Sequence, residues 1–139
     1  MIESGFWNTI KRNIGGTPGL HIQRVENGLS NPGTPDVELC LRGRTAWVEL
    51  KLIKSFPARP STPVKIKHFT EEQKTWLRLR GMSGGKAWLF VQVQGVGYFL
   101  FDWKTAQLVG EMTQVDWWRS ATWWKGSCDW TSFLKKIIS

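Results

Sequence analysis

Apolar residues at helical spacing predict a helix near each end of the chain and one in its middle. The first covers residues 3–14 and stops at a Gly-Gly-Thr-Pro-Gly segment. The second begins after Thr70, an N-cap residue with Gln73 as its capping-box partner, and ends at the next glycine. Residues 103–109 predict a helical turn, and residues 129–138 a short closing helix.

Alternating apolar and polar residues predict five strands. The first covers residues 20–26 and is followed by a loop rich in Gly, Asn, Ser and Pro over residues 27–35. The next two flank residues 42–45 and are predicted to form a β-hairpin, and the last two cover residues 87–93 and 96–101. Helix, three strands, helix and further strands predict a single α/β domain with a mixed sheet.

The predicted hairpin has one apolar face and one face that carries acidic side chains and a lysine. If the Gly43-Arg44 pair is a two-residue turn, Asp36 lies opposite Lys51 and Glu38 lies opposite Glu49. Side chains two positions apart on a strand share a face, so Glu49 and Lys51 lie on the same side. The hairpin register therefore predicts that two or three carboxylates and a lysine meet on one face.

Carboxylates that converge on one sheet face repel each other unless a cation lies between them. Carboxylate and carbonyl oxygens suit a hard ion such as Mg²⁺, with Mn²⁺ as an alternative. Such an ion polarises a phosphate and lowers the pKa of bound water, and Lys51 would orient the water or neutralise developing charge. The pattern favours phosphodiester hydrolysis. The alternative is that Glu49 and Lys51 are solvent-facing strand residues and Asp36 caps a turn.

The charge balance favours a polyanionic partner. Nineteen Lys and Arg against eleven Asp and Glu give a net charge of +8 in 139 residues. A loop over residues 53–69 and the second helix carry the candidate phosphate contacts, for which a solvated basic face is the alternative. These candidates are Lys54, Arg59, Lys65, Lys67, Lys74, Arg78 and Arg80. Because phosphate contacts fix position and not sequence, we expect structure- or end-directed cleavage over base-specific cleavage.

The remaining composition argues against several other classes of protein. Two cysteines and two distant histidines fit neither a disulfide framework nor a structural zinc site. The chain has no signal-peptide pattern and no apolar run of membrane length, which predicts a soluble, intracellular (cytoplasmic) protein. Its ten Trp favour core or interface packing over base stacking, although a non-catalytic basic and Trp-rich nucleic-acid-binding module stays the alternative function.

Two segments of the chain resemble a nuclease signature. Gly33-Thr34-Pro35-Asp36 followed by Glu49-Leu50-Lys51 resembles the motif of the PD-(D/E)xK nuclease superfamily. With Glu72-Gln73 opening a helix, the chain is most similar to the VRR-NUC group, whose small stand-alone members are often of phage origin. Archaeal Holliday-junction resolvases share this core. The resemblance covers roughly residues 3–93, leaves a Trp-rich extension at about 103–139 outside, and implies a restriction-endonuclease-like core, a mixed central sheet flanked by helices.

The resemblance also implies a role for each matching residue. Asp36, Glu49 and the backbone carbonyl of Leu50 would bind the metal. Lys51 would be the catalytic lysine, and Gln73 would support the site from the second helix. The implied enzyme is a Mg²⁺- or Mn²⁺-dependent endodeoxyribonuclease.

A further acidic residue and the substrate are also implied by the resemblance. Glu3 would match an acidic residue on the first helix, with Glu26 as a competing candidate, and a plain surface charge is the alternative for both. Branched DNA such as a four-way junction would be the substrate, which a homodimer with two active sites could cut symmetrically. A phage-encoded member would act in the cytoplasm of the host cell.

Overall fold

The computed structural model describes residues 3–25 and 32–139, with side chains from Gly5 onward. A six-stranded mixed sheet runs through it in the order β1 to β6, and every neighbouring pair is antiparallel except the parallel pair β3–β4. The strands are β1 (Leu20–Arg24), β2 (Val37–Leu41), β3 (Arg44–Ile53), β4 (Ala87–Val93), β5 (Gly97–Asp102) and β6 (Thr122–Lys125). The helices are α1 (Glu3–Ile14), α2 (Glu71–Met82), α3 (Trp103–Ala106), α4 (Gln114–Ser120) and α5 (Trp130–Ile138).

Helices cover both faces of this sheet. On one face α1 and α5 bury Phe6, Ile10 and Phe133 against Leu50 and Phe90. On the other face α2, α3 and α4 bury a second apolar cluster that includes Leu77, Leu89, Phe99, Ala106 and Trp117. Helices thus shield both faces of the central strands from solvent, which explains why β4 and β5 are apolar almost throughout. The predicted α/β architecture with a mixed sheet is confirmed. No helix in the described ranges is long and apolar enough to cross a membrane.

The hairpin of β2 and β3 has the predicted faces but a different register. Its turn is Arg42-Gly43, so the prediction of a Gly43-Arg44 turn was wrong. Both turn residues have positive φ, 49° and 86°, as hairpin turns favour, and Arg42 adopts this conformation although it is not glycine. The register shifts by two residues, which leaves every side chain on its predicted face. Glu38 consequently lies opposite Trp47 and not opposite Glu49.

The chain after β5 contains two elements that the sequence did not predict, α4 and β6. A capping box between Thr113 and Asp116 starts α4, and Trp117 on this helix is fully buried. In α5, the Phe133 ring stacks on Phe90 with centroids 4.4 Å apart. The Trp-rich stretch therefore contributes core side chains on both faces of the sheet, whereas Trp123 is 45% exposed.

The basic loop between β3 and α2 lacks regular structure, as predicted, but it is anchored to the core. The Phe56 ring makes edge contacts with Phe99 and Trp117. Val64 is buried, and its N–H donates to the carbonyl oxygen of Met112 at 2.8 Å. These anchors hold the loop against the helical layer beside the end of β3.

Candidate active site

Asp36 lies at the point where β2 begins to pair with β3. The first paired residues are Val37 and Val48, so the backbone of Leu50 is beyond the end of β2. One carboxylate oxygen of Asp36, Oδ2, accepts the Leu50 N–H at 3.0 Å. Because the N–H and C=O of a strand residue point to the same edge, the Leu50 carbonyl faces the same side as Asp36.

Glu49 carries its carboxylate into the space between the sheet and α2. The residue is 1% exposed, and its Oε2 lies 3.3 Å from Lys51 Nζ and accepts from Gln73 Nε2 at 3.3 Å. Its Oε1 is also buried but has no hydrogen-bond partner among the described residues. Burial raises the pKa of Glu49 well above its usual value, the charge of Asp36 raises it further, and Lys51 opposes both effects. Lys51 and Gln73 therefore compensate only part of the cost of burying a charged Glu49 carboxylate.

Lys51 is held from two sides. The residue is only 5% exposed, and its Nζ donates to the backbone carbonyl oxygen of His68 at 2.8 Å. The same ammonium forms the ion pair with Glu49. The basic loop, through His68, thus fixes where the lysine side chain ends, and the position of this loop is coupled to the position of the Lys51 ammonium.

The Gln73 side chain serves both α2 and the candidate site. Its Oε1 accepts the Thr70 N–H at 2.9 Å, and the Gln73 N–H donates to Thr70 Oγ1 at 3.1 Å, which confirms the predicted capping box. The Nε2 amide then donates to Glu49. The helix start is thereby connected directly to the buried carboxylate, and a single rotamer makes both contacts.

The donor groups at this point fit a hard divalent cation. Asp36 and Glu49 offer carboxylate oxygens, and Leu50 offers a carbonyl oxygen on the same side. No group of three or more His, Cys, Asp and Glu side chains gathers within residues 3–25 and 32–139. Two carboxylates and a carbonyl suit Mg²⁺, which keeps several waters and uses few protein ligands. The unpartnered Glu49 Oε1 is the oxygen that such an ion would satisfy.

Of the other acidic candidates, only the Glu38 side chain lies within the described residues. Glu38 shares the face of Glu49, but its Oε1 accepts from Gln23 Nε2 at 2.8 Å on β1. Hairpin register alone suggested that Glu38 joins the centre, whereas the observed register directs it toward the sheet edge. The side chain of Glu3 and the whole of Glu26 lie outside the described residues.

The basic loop and the end of β3 form a groove of about 420 Å³ that includes Lys51. The exposed lysines of this groove are Lys54, Lys65 and Lys67, and Arg59 is exposed at the far part of the loop. These positions give a basic surface beside Lys51, and its role in phosphate binding stays a prediction.

Two of the three basic candidates on α2, Lys74 and Arg78, make contacts within the protein. Lys74 Nζ donates to the Val109 carbonyl oxygen at 2.8 Å and lies 3.8 Å from a Glu71 carboxylate oxygen. This ammonium is directed into the fold and ties α2 to the segment after α3, so we do not include it in a DNA-binding surface. Arg78 Nη1 is 3.7 Å from the Met82 sulfur, at the outer side of the helix.

Two Trp residues form a cluster beside the site that the sequence analysis did not identify. The rings of Trp47 and Trp76 lie 5.1 Å apart, and the Arg80 guanidinium lies 4.7 Å from the Trp76 ring centroid. Trp47 precedes Glu49 by two residues on one strand face, and Trp76 follows Gln73 by three residues on one helix face. The sequence spacing could therefore have indicated this cluster. Trp47 shares a strand face with Glu49, Trp76 shares a helix face with Gln73, and Glu49 and Gln73 meet between β3 and α2.

Comparison with known proteins identifies the fold. No family model matches the chain, and no curated protein is significantly similar to it in sequence. Among solved structures, the chain is similar to Hjc, a Holliday junction resolvase from the archaeal hyperthermophile Archaeoglobus fulgidus, with a TM-score of 0.50 and 14% identity over 73% of this chain and 77% of that chain. At that identity the likeness concerns the fold alone. The mixed sheet flanked by helices is a restriction-endonuclease-like α/β fold, as predicted.

Proposed function

We propose that this protein is a metal-dependent endodeoxyribonuclease with Asp36, Glu49 and Lys51 at its catalytic centre. The observation that carries the proposal is the buried Glu49 carboxylate, which lies beside a lysine and has one oxygen without a partner. A net charge of +8 favours a polyanionic substrate, and the resolvase-like fold supports DNA as that substrate. The motif residues further support a PD-(D/E)xK enzyme of the VRR-NUC type.

Asp36, Glu49 and the Leu50 carbonyl would hold a Mg²⁺ or Mn²⁺ ion. When bound, this ion supplies a Lewis acid for the scissile phosphate and lowers the pKa of a coordinated water. Lys51 positions the attacking water or neutralises charge on the phosphate, because its ammonium is fixed by the His68 carbonyl. Gln73 keeps Glu49 in the rotamer that reaches this point.

The substrate we propose is branched DNA such as a four-way junction. The exposed lysines at 54, 65 and 67 contact phosphates, with Arg59 and Arg78 farther out, and such contacts recognise shape more than base sequence. A homodimer would cut two strands of a junction symmetrically. Sedimentation at micromolar concentration should then give the mass of two chains, and a monomer at every concentration would contradict the dimer.

The central test is cleavage of supercoiled and four-way DNA with Mg²⁺, with Mn²⁺ and with EDTA. Glu49→Ala and Lys51→Ala should each abolish cleavage while the fold and most DNA binding remain. Glu38→Ala is the matched control, because this acid shares the strand face yet bonds to Gln23, and its activity should match the wild type. Equal activity in the Glu49 and Lys51 variants, or cleavage that EDTA leaves unchanged, contradicts the proposal. DNA binding without any metal-dependent nicking favours a non-catalytic nucleic-acid-binding module.

A further inference from the structure

An open cavity of about 380 Å³ lies along the outer flank of α2. Its volume is in the range of about 300–1,000 Å³ typical of small-ligand sites. No basic side chain of the described residues lines it, whereas four lysines line the groove that includes Lys51. Its lining residues are Pro32, Glu71, Glu72, Thr75, Trp76 and Leu79.

The walls of this cavity are continuous with the elements that carry the candidate catalytic residues. Pro32 and Gly33 lead into Asp36 on one side. A Cβ atom added to Gly33 would lie 2.5 Å from the Glu72 carbonyl oxygen, so this segment touches the backbone of α2. Glu72 immediately precedes Gln73, whose amide contacts Glu49. The cavity is therefore lined by residues that adjoin the Asp36 and Gln73 segments of the candidate centre.

The cavity presents an aromatic surface that its neighbours hold in place. The Trp76 ring packs on Trp47 at 5.1 Å, and the Arg80 guanidinium lies 4.7 Å from its centroid. Leu79 beside it is 54% exposed, a large apolar side chain next to an indole. Fixed aromatic rings of this kind stack on nucleobases, because every base offers a flat apolar face.

The rim of the cavity favours a base over a phosphate. Glu72 carries negative charge there, which repels the sugar-phosphate backbone, Glu71 adds a carboxylate that lies 3.8 Å from Lys74, and Thr75 adds a hydroxyl. Carboxylates and hydroxyls accept hydrogen bonds from exocyclic amino groups. Adenine, cytosine and guanine carry such a group, whereas thymine does not.

We propose that this cavity receives one unstacked nucleobase of the DNA strand that is cut, with a preference for bases that carry an amino group. The inference rests on the proposed nuclease function and makes its substrate more specific. An unpaired base at a branch or a frayed end costs least to unstack, so the cavity would favour such sites over intact duplex.

The test uses branched substrates that lack a single base at each position around the mapped cleavage point. Loss of the base at one position should lower kcat/KM about tenfold in the wild type, within the range for stacking on an aromatic side chain. Leu79→Ser and Trp76→Leu should remove this sensitivity. Leu108→Ser is the matched control, because Leu108 is 51% exposed and does not line the cavity. Glu72→Gln should reduce the preference for cytosine over thymine at that position.

The outcomes separate this inference from the nuclease proposal. Metal-dependent cleavage that tolerates the loss of every single base overturns the cavity assignment and leaves the nuclease intact. If DNA is bound but not cut, 2-aminopurine placed along the strand is measured in EDTA. A change in fluorescence at one position that disappears in Trp76→Leu supports the cavity while the nuclease proposal fails. Identical signals in the wild type and in Trp76→Leu, or the absence of DNA binding, overturn the cavity assignment.

Discussion

Replacing Gly33 with alanine should lower both the stability of this protein and the proposed nuclease activity. Gly33 has φ of +88°, and a Cβ atom there would lie 2.5 Å from the carbonyl oxygen and 2.7 Å from the carbonyl carbon of Glu72. Both contacts are to helix backbone, which cannot rotate away as a side chain can. The helix start carrying Gln73 must therefore shift away from the segment that carries Asp36.

The expected loss of unfolding free energy in Gly33→Ala has two parts, and Gly84→Ala is the matched control for the first. An L-residue in the left-handed region costs about 1–2 kcal/mol, and Gly84 has φ of +91° with nothing within 4 Å of an added Cβ atom. Gly84→Ala should therefore lose only that amount. Gly33→Ala should lose a further ~1–3 kcal/mol, the usual cost of overpacking, when both variants are unfolded by urea.

Activity gives the second measurement for the same pair of variants. Gly33→Ala should cut branched DNA at least about tenfold more slowly at a temperature where it is folded, since ~1.4 kcal/mol of lost transition-state stabilisation suffices. Gly84→Ala should cut at the wild-type rate. If the two variants are equally stable, or if Gly33→Ala retains full activity, the close approach of the Gly33 segment to α2 does not support the site.

Three other perturbations test the site and the core. In EDTA, the free energy of unfolding should fall as pH rises above about 4.5, because the raised pKa of Glu49 lets the folded state keep a proton that the unfolded state releases. The slope should reach at most ~1.4 kcal/mol per pH unit, and Glu49→Gln should lack this contribution in parallel denaturation series. Gln73→Glu should keep the cap of α2 but reduce cleavage of four-way DNA in Mg²⁺, since a carboxylate that repels Glu49 replaces the amide that donates to it. Phe133→Ala should destabilise the fold by ~3–5 kcal/mol, because its ring is buried on Phe90, whereas Trp123→Ala at a 45% exposed position should cost far less in the same urea assay.

The parts of the fold that the sequence predicted are those where one period runs unbroken. In α1, Phe6, Ile10 and Ile14 follow a helical repeat and are all buried. The faces of the β2–β3 hairpin were also predictable, because a two-residue error in register does not exchange faces. The register itself was not, since Arg42 adopts positive φ without being glycine.

Other features depended on tertiary contacts that no local pattern reveals. In α4 and β6, Trp117 is fully buried while Trp123 is 45% exposed, so two residues of the same type differ in burial. Lys74 has the sequence features of a surface cation, but its ammonium donates to the Val109 carbonyl oxygen of a distant segment. Asp36, Glu49, Lys51 and Gln73 were predicted partly from hairpin geometry and partly from resemblance.

The parallel pairing of β3 with β4 determines when the site can form during folding. The other neighbouring strands pair antiparallel in sequence order, whereas β3 and β4 require the chain from Ile53 to Ala87 to cross over through α2. The contacts of Lys51 and Glu49 with His68 and Gln73 both lie within this crossover. Long-range pairing forms slowly as a rule, so a chain in which only the hairpin had folded would have the carboxylates but neither of their supports. Cleavage by the proposed enzyme would accordingly require this crossover, and chains folded only as far as the hairpin would leave the DNA around them uncut.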